Sequence, residues 1–199
     1  MGTIYNVIGV LLGGSLGLMI GDRLSGDIQE SLLKVSGVAV FILGITGSVQ
    51  GLLRVSGASL TSQGSMMMIA SLVLGTIIGE LLRIEQEFDH FGLWLKRVTG
   101  SDKDASFVDA FVTTSLTICV GAMAVVGSLQ DGLTGDSSTL LAKSVLDFLI
   151  VLVLTVSKGK GAIFSAVPIF LLQGGMTLAA RILAPILTGT ALAHLSLVG

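Results

Sequence analysis

The sequence predicts an all-α fold, a polytopic membrane helix bundle of six spans built around a duplicated two-helix hairpin. Three observations carry this. Hydrophobic residues make up 52% of the 199-residue chain and charged residues only 12%, about half the ionic content of a soluble domain's sequence. Several stretches approach the roughly 20 apolar residues that a helix needs to cross a bilayer. Two glycine-containing motifs recur, in the same order, in successive hairpins.

The first span, near 4–21, has nothing basic before Arg23. It lacks the charged start of a cleaved signal peptide and is read as retained. The second and third spans lie near 35–53 and 65–82. A polar insert, 83–105, follows. Within it Ile84, Phe88, Phe91, Leu95 and Val98 recur at spacings of three or four, which predicts an amphipathic helix over about 84–104. Its apolar stripe is expected either on lipid at the cytoplasmic interface or against the bundle. The last three spans are placed near 107–129, 140–157 and 162–182, so residues 1–199 form one membrane domain. The first, third and fifth connections hold Arg23, Lys34, Arg83, Lys96, Arg97, Lys103, Lys158 and Lys160; the other side holds Arg54, Lys143 and Arg181. That asymmetry predicts an N-terminus outside and the odd connections in the cytoplasm.

The hairpin repeat covers about 4–53 and 65–133. Gly17-Leu-Met-Ile-Gly21-Asp22 matches Gly75-Thr-Ile-Ile-Gly79-Glu80, and Gly47-Ser48-Val49-Gln50 matches Gly127-Ser128-Leu129-Gln130. The second pair of motifs is further apart than the first by about the length of the amphipathic insert. Such repeats are common in transporters, with the site near the repeat interface, and duplication can also simply enlarge a bundle. Gly13, Gly17 and Gly21, then Gly44, Gly47 and Gly51, then Gly75 and Gly79 form helix faces suited to close packing and to a homo-oligomer.

Function has to come from polar residues. Asp147 sits among Val, Leu, Phe and Ile in the fifth span, where a carboxylate costs roughly 2.5–3.5 kcal/mol on insertion scales. Lys143, four residues earlier, offers it a partner on the same helix face. Asp109 with Thr113 and Thr117 makes a strip of oxygens of the kind that binds hard cations, or a first-turn acid favoured by the helix dipole. Ser48, Gln50, Ser128 and Gln130 of the repeat, and Asp131 in the stretch 127–136, complete the candidate cation or solute ligands. The 127–136 stretch lacks the Asp spacing and final Glu of an EF-hand, and the Ser157-Lys-Gly-Lys-Gly161 stretch lacks the full phosphate-loop spacing. His90 and His194 are isolated, and no nucleophile–base motif is evident. No enzyme and no cofactor are expected. One cysteine precludes an internal disulfide, and a net charge of −2 without a basic patch argues against nucleic acid as a partner.

Residues 118–136, the segment Lys143-Ser-Val-Leu-Asp147, Phe164-Ser-Ala-Val-Pro168 and Gln173-Gly174 together resemble a family. It is the bacterial inner-membrane family of unknown function typified by YqgA and YdfK, often labelled a possible sodium channel or pump. The resemblance implies a multi-pass protein of the bacterial inner membrane. Relatives often carry proline where this chain has Ala122 and tyrosine where it has Leu172. They usually continue through a seventh span, which is read here as partial or missing. The functional expectation is a transporter or channel for a small solute, most plausibly sodium or a proton. The alternatives are a non-transporting membrane scaffold or a small-metabolite exporter.

Overall fold

The glycines of the first helix determine how the bundle is assembled. A computed structural model describes residues 1–56, 59–62, 65–101, 104–119 and 121–184. Helix α1 (Gly2–Ile20) lies parallel to α7 (Ser138–Lys158), and this is the main pairing among the described residues. Gly9, Gly13 and Gly17 face Ser144, Phe148 and Leu152, each set stepping by four residues. A Cβ at Gly9 would stand 2.9 Å from the Ser144 carbonyl oxygen, and one at Gly17 2.7 Å from that of Leu152; one at Gly13 would collide with the Phe148 carbonyl. Backbone meets backbone, which only small residues allow. Gly21 was expected on this face, yet a Cβ there would meet nothing within 4 Å. Its φ of 51° ends the helix instead.

Helix α2 (Gly26–Leu52) begins earlier than the apolar run, because Asp27, Glu30 and Lys34 extend it as a polar overhang. An antiparallel hairpin, β1 (Leu53–Ser56) with β2 (Ser59–Ser62), then joins it to α3 (Ser65–Leu81). Apart from this short connection the described elements are helical, in keeping with a helical membrane protein. Helix α4 (Ile84–Val98) turns Phe88, Phe91 and Leu95 toward Phe111 of α5 (Phe107–Cys119). The amphipathic stripe therefore lies on the bundle, while Trp94 and Val98 remain exposed.

The expected fourth span is broken. Helix α5 stops at Cys119, Gly121 is extended (φ −173°), and α6 (Ala122–Leu133) departs at 58°. Helix α7 ends at Gly159, whose φ of 106° favours glycine, and a 3₁₀ segment Lys160–Ser165 leads into α8 (Ala166–Leu183). Pro168 sits in the first turn of α8, where its missing N–H costs nothing.

Among the described residues four helical stretches are long and apolar enough to span a bilayer: Gly2–Ile20, Gly26–Thr46, Ser138–Lys158 and Lys160–Ile182. The bent pair α5–α6 makes a fifth if it counts as one span, and α3 is a shorter apolar helix. Outward positions are greasy: Phe41, Leu72 and Ile182 are each more than 60% exposed, as suits a hydrocarbon solvent. The seventh-span region, 185–199, lies outside the described residues.

Candidate functional site

Polar side chains from three of the described helices meet a backbone carbonyl of a fourth where α5 breaks. Asp147 of α7 is 2% exposed. Its carboxylate accepts from Lys143 Nζ, 2.9 Å from each oxygen, and Oδ2 also accepts from Asn6 Nδ2 of α1 at 3.0 Å. Asn6 Nδ2 donates in addition to Gln173 Oε1 of α8 at 3.2 Å. Lys143 Nζ reaches past the carboxylate to the Ile118 carbonyl, one residue before the end of α5, at 2.8 Å. A helix that stops inside the bundle leaves last-turn carbonyls without intrahelical donors and carries partial negative charge at that end. The ammonium meets both needs.

On a helix surface a Lys–Asp pair four residues apart contributes tenths of a kcal/mol. Here the side chains are only 8% and 3% exposed, and removing one partner of a buried pair costs about 3–5 kcal/mol. Two further buried atoms, Asn6 Oδ1 and Gln173 Nε2, have no protein partner among the described residues. Buried polar groups are rarely left so.

One cavity adjoins this cluster, and a second adjoins the first. One of about 130 Å³ is lined by Lys143, Asp147, Gly121, Thr117, Val40 and Ile150, and one of about 320 Å³ by Ser36, Thr117, Val40, Ile150, Leu33 and Leu154. Sharing Val40, Thr117 and Ile150, they form one groove between α2, α5 and α7, running from Asp147 toward the Lys158 end of α7. Ser36 is 3% exposed, its hydroxyl has no protein partner among the described residues, and it lines the far part of that groove. On the opposite side of Asp147, a polar seam climbs between α1 and α8. Thr3 and Thr177 share a hydrogen bond of 3.3 Å, and Thr177 also donates to the Ser128 carbonyl at 3.2 Å. It ends at Asp131, which accepts from Gly2 N, the Met1 ammonium and Ser137 Oγ. Beside Asp131 lies a third cavity of about 310 Å³, lined also by Thr3, Thr177 and Arg181.

The expected ligands are thus distributed over several places. Asp147 is at the centre. Ser128 and Asp131 belong to the seam toward the Ser138 end of α7, and Gln130 accepts from Thr139 Oγ1 at 2.7 Å nearby. Asp109 is 65% exposed and paired with Lys158 at 2.7 Å, away from Asp147 near the other end of α7. Its strip is bonded within itself: Thr113 donates to Asp109, and Thr117 to the Thr113 carbonyl. Thr117 alone of the strip reaches the groove. The side chains of Ser48 and Gln50 lie outside the described residues. Asn6 and Gln173 are not among the ligands expected from the sequence, although an amide amid apolar residues is a signal of the same kind as a carboxylate there. Beyond the helices, Asp136 accepts the Ser138 N–H at 2.9 Å, which holds its carboxyl below the usual carboxylate range.

Across residues 1–199 the chain matches the family described as "Protein of unknown function (DUF554)". It is 29% identical over 203 residues to "Uncharacterized protein YqgA" of Escherichia coli (strain K12), spanning all of this chain and 82% of that protein. It is 24% identical over 198 residues to "Uncharacterized membrane protein YdfK" of Bacillus subtilis (strain 168), spanning all of this chain and 80% of that one. No solved structure matches.

Proposed function

We propose, from the premise that the chain belongs to the DUF554 family, that it is a multi-pass membrane protein moving a small monovalent cation, sodium or a proton, past Asp147. One observation carries the reading. A buried carboxylate stands at the break in a helix, with a groove reaching it from one side and a hydrogen-bonded polar seam from the other. Ionisable groups inside a membrane are costly and mark ion pathways and proton relays, and broken helices with free backbone carbonyls hold cations in transporters. Asp147 supplies the charge, Asn6 and Gln173 orient it, and Ser36 and Thr117 supply oxygens along the groove.

The charge asymmetry of the connections supports an N-terminus outside, and the likeness to a membrane protein of Bacillus subtilis supports a place in the bacterial inner membrane. The groove then faces the cytoplasm and the Asp131 cavity the exterior. The hairpin repeat, 4–53 with 65–133, is kept as part of this reading. So is a homo-oligomer through glycine faces, since a Cβ at Gly75 or Gly79 would meet nothing within 4 Å. The bilayer and a cation are the partners; catalysis, cofactors and nucleic acid have no part in it.

The test is sodium and proton flux into proteoliposomes. Wild-type flux well above empty vesicles, lost in Asp147→Asn, is expected. Wild-type flux equal to that of Asp147→Asn or of empty vesicles refutes the proposal. The second reading, a non-transporting scaffold, draws on the Thr3–Thr177 and Asn6–Gln173 pairs, whose bonds stay within the protein. It predicts no flux and a loss of assembly when those pairs are removed.

A further inference from the structure

We infer that Lys143 is a tethered cation that competes with the transported one. The substrate ion binds Asp147 only once the ammonium has moved off the carboxylate onto the carbonyl end of α5. This rests on the cation reading above and adds the step that opens the site.

The first argument is occupancy. Lys143 Nζ lies 2.9 Å from both Asp147 oxygens, and Asn6 takes a further position on Oδ2. An ion arriving through the groove meets a carboxylate already held. The second is charge. Lys143 and Asp147 sum to zero, and both line a small cavity whose other walls include Val40, Leu146 and Ile150. Adding a cation without displacing the ammonium would bury an uncompensated positive charge, which costs several kcal/mol. Among the described residues lining that cavity there is no second acid. Facing the pair, α1 and α8 bring the neutral amides Asn6 and Gln173, and α2 and α6 bring Val40, Gly44 and Met123. From α5 comes the Cys119 thiol, close enough to feel both charges.

The third argument is a second resting place. Nζ already touches the Ile118 carbonyl at 2.8 Å, at a helix end whose carbonyls and dipole favour a cation. A lysine on a flexible four-carbon stem can pivot from carboxylate to carbonyls without leaving the cluster. One unit charge then replaces another on Asp147, so the preferred substrate is a compact monovalent ion.

The experiment is thermal melting of the full chain in nanodiscs across a sodium chloride titration, with choline chloride holding ionic strength. For Lys143→Met the midpoint concentration of the stabilising shift should be at least tenfold lower than for wild type. Asp147→Asn and the double variant Lys143→Met/Asp147→Asn should show no shift. A sodium-responsive wild type with an unchanged midpoint in Lys143→Met overturns the inference and leaves the cation reading standing. No response in wild type or any variant, together with no flux in proteoliposomes, overturns the cation reading itself. Should Lys143→Met fail to fold, Lys143→Arg keeps the pair. Its guanidinium grips both oxygens in a fork, so its midpoint should rise at least tenfold, and an unchanged or lower one counts against competition.

Discussion

A single methyl group at Gly13 should loosen the whole cluster. The Cβ of Gly13→Ala would run into the Phe148 carbonyl; the one is fixed directly to the backbone and the other is part of it, so neither can turn aside. Restoring ordinary contact requires α1 and α7 to part locally by roughly 1 Å. Asn6 is two turns away on α1, and its 3.0 Å bond to Asp147 crosses the same seam. Even part of that displacement takes the bond outside hydrogen-bonding range. Overpacking typically costs 1–3 kcal/mol, and a hydrogen bond to a charged group contributes about 1.5–3 kcal/mol. Allowing for partial relaxation of both, the expected loss is about 2–4 kcal/mol. The control is Gly175→Ala in α8, where the new Cβ meets nothing within 4 Å and better helix propensity adds at most about 1 kcal/mol of stability. Thermal melting in nanodiscs compares the two. Equal midpoints for Gly13→Ala and Gly175→Ala would refute the close-packed seam and its role in holding Asn6 on Asp147.

Phe111→Ala removes a fully buried ring that packs on Phe88 and Phe91. It should cost about 3–5 kcal/mol and release α4, read as faster tryptic cleavage at Lys96 and Arg97. Val40 lines both parts of the groove, so Val40→Trp should lower sodium flux at least tenfold while leaving the melting midpoint near that of wild type. The Asp136 carboxyl is lowered from 3.8 by the Ser138 N–H. It therefore supports the start of α7 above that value, and the support is lost as pH falls through its folded pKa. Acid unfolding monitored below pH 3.8 should begin later in Asp136→Asn, whose side-chain oxygen still accepts the bond without titrating.

Legibility in the sequence followed the physics of each signal. Apolar runs located α1, α7 and α8 to within a few residues, because the cost of exposing backbone to lipid forces helix there. The α5–α6 break was invisible: residues 107–129 read as one apolar run, and nothing local says where a helix should stop when no proline marks the place. Gly13 and Gly17 were read correctly as contact residues. Gly21, spaced like them, was not distinguishable from them, since spacing does not reveal which glycine sits at a helix end with positive φ. Asp109 and Asp147 looked alike as acids near apolar residues. Burial separated them, at 65% and 3% side-chain exposure.

What residue order determined alone was a membrane helix bundle, the Lys143–Asp147 pair one turn apart, and the glycine face that lets α1 approach another helix. These depend on composition and on spacings of three and four, which a helix turns directly into faces. Tertiary structure chose α7 as the partner of α1. It thereby set Asn6 against an acid 141 positions away and brought Gln173 and the Ile118 carbonyl to the same point. Those meetings depend on which helices pack and where one breaks. Both are decided by the summed fit of many side chains, and no local pattern encodes that sum.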